Sequence, residues 1–290
     1  MVMRVRSVLV LLAATLVATA GASPAPPIGV TAAARSVRPG ELVVLTIAPP
    51  ASTTSLHVHA FARDIPAFKV SGRTWRALVG IDLATTPGTY KVAISAGTGT
   101  NAATTTYPLV VRPRTFATRT LTVDEAFVNP PPEAVAQIEH DTQTLTRIWA
   151  ASSPTRLWDG PFVRPVPDPA NSRFGTRSVL NGQPRSPHSG ADFLSPEGRP
   201  IKAPNAGHVV FAGPQYFTGN TVIIDHGLGL FSLFAHLSRI DVHEGDRVAT
   251  GDIVGNVGST GRVTGPHLHW SLRVNGARVD PLSLLATLGH

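Results

Sequence analysis

The residues of this 290-residue chain best suited to chemistry are histidines, and most of the eleven fall from His188 onward. Three groups stand out: His188-Ser189-Gly190-Ala191-Asp192, then Phe234-Ala235-His236, then Gly265-Pro266-His267-Leu268-His269-Trp270. In a strand, residues two apart point to the same face, about 6.6 Å apart along the chain. One of His267 and His269 can then ligate a metal while the other reaches a water bound to it. His188 and Asp192 offer borderline and hard donors of the kind zinc accepts. Pro187 and Gly190 disfavour a regular helix here, so the segment is expected to bend and bring both side chains to one point. A metal hydrolase needs three protein ligands, an open position for water and a nearby base. His57-Val58-His59 has the same spacing but no suitable carboxylate nearby in sequence, and reads as an ordinary strand pair.

These side chains must be positioned by strands. From about Arg173 glycines are frequent, and Gly207–Gly213, Thr221–Asp225 and Leu230–His236 read as short strands between tight turns. Helical periodicity returns only at Pro281–Leu288, so a compact, mostly antiparallel β domain is expected over residues 173–290. Upstream, Leu42–Ile47, Leu56–Phe61, Thr89–Ile94 and Tyr107–Val111 are further β-rich runs. Their spacing suggests a small β-sandwich over residues 28–112, and Pro87-Gly88-Thr89-Tyr90 resembles the late hairpin of immunoglobulin-like modules. Residues 113–172 form a connector. In it Pro132 or Glu133 opens a short helix with Val135, Ile138, Leu145, Ile148 and Trp149 at helical spacing. The predicted fold is therefore mainly β, in two units.

Composition narrows the chemistry further. Without cysteine, the chain has no disulfide, thiol catalysis, iron–sulfur cluster or thiolate zinc site, so any metal must sit on His, Asp and Glu. Arg4 and Arg6, the apolar run Val8–Ala18 and the small residues Ala18–Ala22 form the pattern of a secretory signal peptide over residues 1–22. The apolar run is short of the roughly 20 residues that a span needs, so no stable membrane insertion is expected after cleavage. Removing Arg4 and Arg6 takes the net charge from +7 to +5. A mildly basic surface suits an anionic partner such as a cell wall, and equally suits solubility alone. No dense Lys/Arg run with interleaved aromatics points to nucleic acid.

These segments together resemble the M23 family of zinc metallopeptidases, the lysostaphin-like or LytM-type endopeptidases. His188-Ser-Gly-Ala-Asp192 matches the family's His-x-x-x-Asp and His267-Leu-His269 its His-x-His. Gly219–Gly227 through Phe234-Ala235-His236-Leu237-Ser238 is similar to the middle block, Gly245–Gly261 to the approach to the last motif, and Phe174-Gly175-Thr176-Arg177 to the opening signature. The likeness runs from about Phe174 to Pro281. It implies one zinc ion per chain on His188, Asp192 and His269, with His236 and His267 beside the metal-bound water as base or oxyanion partner. It also implies Arg177 and Phe234 as substrate contacts. Phe234 stands where the family often has tyrosine.

The function so implied is hydrolysis of peptide bonds in the stems or cross-bridges of peptidoglycan by an exported protein, periplasmic, secreted or wall-associated. Three other readings compete. A catalytically silent protein of the same fold would bind the wall or activate other hydrolases, but here all three ligand positions are filled. A biotinyl or lipoyl carrier would need a lysine at a hairpin tip, and Lys69, Lys91 and Lys202 are misplaced. A structural zinc would need four protein ligands closing the site. Among the other histidines, His226 reads as structural, and His208 and His243 as solvent-facing. Asp225 reads as a turn residue or as a partner orienting a histidine.

Overall fold

The computed structural model describes residues 28–97, 102–122, 128–171 and 173–289. The expected signal peptide lies outside the described residues. Among them, no helix is long and apolar enough to cross a membrane.

The first part of the chain forms β1 (Gly29–Ala33), β2 (Leu42–Ala48), β3 (Leu56–Ala60), β4 (Arg63–Ile65), β5 (Ala67–Ser71), β6 (Thr74–Gly80), β7 (Gly88–Ala96) and β8 (Ala103–Val111). These strands make two antiparallel four-stranded sheets, ordered β1-β2-β6-β5 and β4-β3-β7-β8. Period-2 alternation sends Val43, Leu45, Ile47, Ala77 and Val79 of the first sheet inward, onto Val58, Ile94 and Leu109 of the second. The other face of β2 and β6 is not solvated. Leu42, Val44 and Leu78 join the core of the C-terminal part instead. That two-sided burial is why Leu42–Ala48 reads as a nearly continuous apolar run.

Residues 113–171 do more than connect. A strand, β9 (Thr118–Leu121), precedes the helix α1 (Pro132–Ala150), which begins at a proline, where the missing N–H costs nothing. The C-terminal half of α1 packs Leu145, Ile148 and Trp149 against Ile223, Phe231 and Leu233, and Ala134 is buried in its first turn. Val135, expected on the apolar stripe, is 55% exposed. Beyond the helix, Trp158, Phe162 and Val166 are buried in the main C-terminal core.

The C-terminal part contains β10 (Arg177–Leu180), β11 (Gln183–Pro184), β12 (Gly190–Phe193), β13 (Pro200–Lys202), β14 (Gly207–Gln215), β15 (Gly219–Gly227), β16 (Leu230–Ile240), β17 (Arg247–Val248), β18 (Ile253–Val257), β19 (Leu268–Val274), β20 (Ala277–Val279) and the helix α2 (Pro281–Leu288). Nine of these strands form one sheet along the path β12-β19-β16-β15-β14-β17, with β13, β18 and β20 attached. Its pairs are antiparallel, as the sequence pattern predicts. A small sheet ordered β11-β10-β9 stands apart, and β9 pairs with β10 in parallel, which no local pattern announces.

The two parts are locked by polar contacts as well as by apolar ones. Arg35 grips Glu41 with Nε and Nη2 and gives Nη2 to Asp280 Oδ2 at 2.8 Å, while Arg114 adds a bond to Glu41. Both carboxylates are buried. Asp82 receives two side-chain bonds from Arg278. Burial alone would raise the Asp82 carboxyl, but the Arg278 bonds override it and bring it to about 2. The Leu42 amide donates to Ser283 Oγ on α2 at 2.8 Å.

Candidate metal centre

Strand pairing brings two of the predicted ligands together. In the β12–β19 ladder Asp192 stands directly opposite His269. Both side chains rise from the same face, because alternation sends their neighbours Ala191, Phe193, Leu268 and Trp270 into the core. His188 lies four residues before Asp192, on the bent approach to β12. Backbone bonds fix it there, from the His188 amide to the Thr176 carbonyl at 2.9 Å and from the Gly175 amide to the His188 carbonyl at 2.7 Å. The Phe174–Thr176 segment therefore serves to hold His188. Gly190 is needed at this point. A Cβ there would lie 2.5 Å from the Trp270 carbonyl oxygen and 2.7 Å from His269 Nε2.

His188 Nε2, Asp192 Oδ1 and His269 Nδ1 form a nearly equilateral triangle, with sides of 3.0, 3.0 and 2.9 Å. Hydrogen bonding alone satisfies such a triangle poorly. A carboxylate accepts only, so if both imidazoles donate to it, their two N–H groups also face each other across 3.0 Å. Three lone pairs converging on one cation suit it better. Zinc bonds of about 2.0–2.1 Å in tetrahedral geometry place ligand atoms about 3.3 Å apart, close to what is seen. Burial alone would raise the Asp192 carboxyl, but its bonds to His188 and His269 hold it well below the usual carboxylate range. Burial lowers His269, with Asp192 opposing. In the tautomer that leaves Nδ1 as a lone pair, His269 Nε2–H donates to Ser271 Oγ at 2.8 Å. Ser271 follows two residues later on the same face and orients the ring. The donor set and its geometry fit a zinc ion.

His236 and His267 lie beside the triangle. Their ring centroids are 5.0 Å apart, and His236 is 5.9 Å from the His269 ring. His267 Nε2 is 3.8 Å from Asp192 Oδ1. Each ring is pinned by its far nitrogen: Nδ1–H of His236 donates to the Thr260 carbonyl and Nδ1–H of His267 to the Gly265 carbonyl, both at 2.9 Å. In the neutral ring each Nε2 is therefore an acceptor. Burial first, and then the neighbouring His269, lower His236 to about 3. His236 adopts φ +68°, a left-handed conformation that costs a non-glycine residue about 1–3 kcal/mol. Its amide donates to the Thr218 carbonyl, and the sheet register slips beside it.

The centre opens into a cleft of about 540 Å³, whose lining includes Arg119, Arg173, Arg185, His188, Asp192, His236, Arg262, His267 and His269. Two predicted substrate contacts are not part of it. Phe234 is fully buried, opposite Trp270 in the β16–β19 ladder and stacked on it, so it supports the site from the core side. Arg177 is exposed but points away. In the β9–β10 pair Arg119, Leu121, Ser178 and Leu180 line the cleft, and a one-residue step puts Arg177 on the opposite face. Sequence reasoning passed over Arg119, Arg173, Arg185 and Ser271. Only Ser271, at the His-x-Ser spacing His269-Trp270-Ser271, carried a local signal.

The other histidines are placed as follows. His226 is completely buried between the Ala206 carbonyl and Ser232 Oγ. His243 is exposed and His208 half-buried. Asp225 orients no histidine. It accepts from Ser152 Oγ, the Ser153 amide and the Gly227 amide, and so ties the end of α1 to the β15–β16 turn. His59 bonds Asp64 at 2.8 Å on the exposed face of β3, a partner not foreseen, and neither belongs to a metal-type cluster among the described residues.

Comparison with known proteins places this geometry in a family. The model for peptidase family M23 matches residues 186–281. The chain is 45% identical over 97 residues to the DD-carboxypeptidase/endopeptidase Mpg of Neisseria meningitidis, covering 33% of this chain and 22% of that protein. It is 42% identical to the peptidoglycan DD-endopeptidase ShyA of Vibrio cholerae, over 33% of this chain and 23% of the relative. The chain thus spans less than a quarter of the length of these curated relatives. A Pseudomonas aeruginosa protein assigned to peptidase M23, known from its crystal structure, superposes with a TM-score of 0.68 at 33% identity, over 87% of this chain and 96% of that one. With that agreement over nearly the whole of a relative, and with the ligand triangle in place, the chain belongs to peptidase family M23.

Proposed function

We propose that this chain is a zinc endopeptidase that hydrolyses peptide bonds in the stems or cross-bridges of peptidoglycan, with one zinc ion per chain held by His188, Asp192 and His269. The observation that carries this is the triangle of three donor atoms about 3 Å apart, set at the floor of an open cleft beside two further imidazoles. A bound zinc ion supplies Lewis acidity, bringing the pKa of its water toward about 7 and polarising a carbonyl. The chain's own groups do the rest. Asp192 stays anionic and offsets cationic charge in a half-buried site. His236 and His267 present Nε2 lone pairs toward the cleft, so one accepts the proton of the attacking water. Once protonated, that ring can return the proton to the leaving amine, while the other donates to the developing oxyanion.

The remaining readings follow the same line. Residues 1–22 direct export, and the mature protein works outside the cytoplasm on the wall, in the periplasm or beyond the cell. Its partner is peptidoglycan and not nucleic acid. Residues 28–112 form the sandwich unit, 113–172 the connector and 173–290 the peptidase unit. No described residue of 28–112 lines the cleft, whereas Arg119 and Leu121 of the connector do. Digestion of purified peptidoglycan by the zinc-loaded protein, beside His269→Ala, tests the proposal. New amino termini released by the intact protein alone support it. No release by either form, with zinc bound, would favour a silent wall-binding protein.

A further inference from the structure

The cleft carries an excess of positive charge. Arg119, Arg173, Arg185 and Arg262 line it, and Asp192 is the only acidic residue among the described lining residues. The ion-pair partners of Asp192 among the described residues are His188, His269 and, at 3.8 Å, His267, and not these arginines. Arg119 gives Nε to Ser178 Oγ at 2.9 Å. Arg185 gives Nη2 to the Val128 carbonyl at 2.6 Å and to Gln183 Oε1 at 3.0 Å, and its Nε is buried without an acceptor among the described residues. These acceptors are neutral. They aim the guanidinium groups without consuming their charge. Arg262 lies over the Phe217 ring at 4.3 Å and is lowered by burial first and then by the charge of Arg185. The fold thus holds like charges together around a concave surface, at an electrostatic cost that an anionic ligand would offset.

The anion's chemistry follows from its place. A group that reaches these arginines while a peptide bond lies at the metal centre belongs to the peptide itself. Carboxylates are the anions of a peptide, and the planar guanidinium fork matches them. Leu121 and Leu194, 40% and 58% exposed, lie in the same cleft and suit the aliphatic side chains between such carboxylates. We infer that Arg119, Arg173 and Arg185 bind free carboxylates of the substrate peptide, so that the chain selects an acidic stem peptide over an uncharged glycine bridge. This rests on the peptidase reading above.

The test uses the zinc-loaded full chain and a cross-linked stem-peptide dimer, either with its carboxylates free or with them converted to amides. Intact protein is expected to cleave the free form with a kcat/KM about tenfold higher or more, a typical worth of one charged hydrogen-bonded contact. Arg173→Gln and Arg185→Gln each shrink that preference, and Arg185→Lys retains more of it than Arg185→Gln. Binding of both dimers to zinc-loaded His267→Ala reads the same preference without turnover. Equal rates on the two forms, or a preference untouched by both glutamine variants, would overturn the inference while leaving the peptidase reading intact. Cleavage of neither form, with arginine-dependent binding of the free-carboxylate dimer, would keep the inference and sink the peptidase reading.

Discussion

Acid should destabilise this fold through one buried histidine. His226 has no exposed surface and sits edge-on to Phe162 at 5.4 Å. Its Nδ1–H donates to the Ala206 carbonyl, so its Nε2 accepts from the Ser232 hydroxyl, and the neutral ring is satisfied on both sides. Burial pushes it from the usual 6.5 down to about 4. The folded state therefore favours the neutral form. Above about pH 6.5 neither state binds the proton and stability is complete. Between about 6.5 and 4 the unfolded chain takes up a proton that the folded chain refuses, and stability falls as the pH drops. Each pKa unit is worth about 1.4 kcal/mol, so the loss is roughly 2 kcal/mol at pH 5 and roughly 3 kcal/mol in full. Urea unfolding at pH 7 and pH 5 measures it, with chelator present because zinc binding is itself pH-dependent. His226→Gln keeps a donor and an acceptor but cannot titrate. The variant is less stable at pH 7, and its loss between pH 7 and 5 is smaller than the intact protein's by roughly 2 kcal/mol. The same loss in both proteins would refute this role for His226.

Three further outcomes are expected. Gly190→Ala pushes a methyl group into the Trp270 carbonyl and the His269 ring, so zinc affinity should fall at least about tenfold and stability by about 1–3 kcal/mol, read by competition with a chromophoric chelator and by urea unfolding. Ser271→Ala removes the acceptor for His269 Nε2–H and should cost about 10–100-fold in zinc affinity with the fold intact by circular dichroism. Arg35→Met leaves Glu41 and Asp280 buried with weakened compensation and should cost about 3 kcal/mol in unfolding, while wall digestion by the remaining folded fraction is unchanged.

What the sequence disclosed and what it hid have the same physical origin. His267 and His269 were legible because a strand's period of two is local, and His188 with Asp192 because a short bend between Pro187 and Gly190 is local too. The fold of β2 was legible as a strand, but not its second buried face, because nothing within Leu42–Ala48 says what packs outside the sandwich. The placement of Phe234 failed on one residue. Strict alternation would put Phe234 and His236 on the same face, but the left-handed φ at His236 breaks the alternation, turning the histidine to the cleft and leaving Phe234 in the core. Arg177 failed on register, which the parallel partner β9 sets from nearly sixty positions away. The cleft arginines come from β9 and from loops before β10 and β12 and after β18, and their convergence is a property of the assembled sheets alone.

The most direct test of the central claim is a zinc titration of the metal-free protein on purified peptidoglycan, counting released amino termini at each addition. Hydrolysis should rise in proportion to zinc, break at one equivalent per chain, and be absent at every point in His188→Ala and Asp192→Ala. Hydrolysis before zinc is added, or undiminished in either variant, would contradict it.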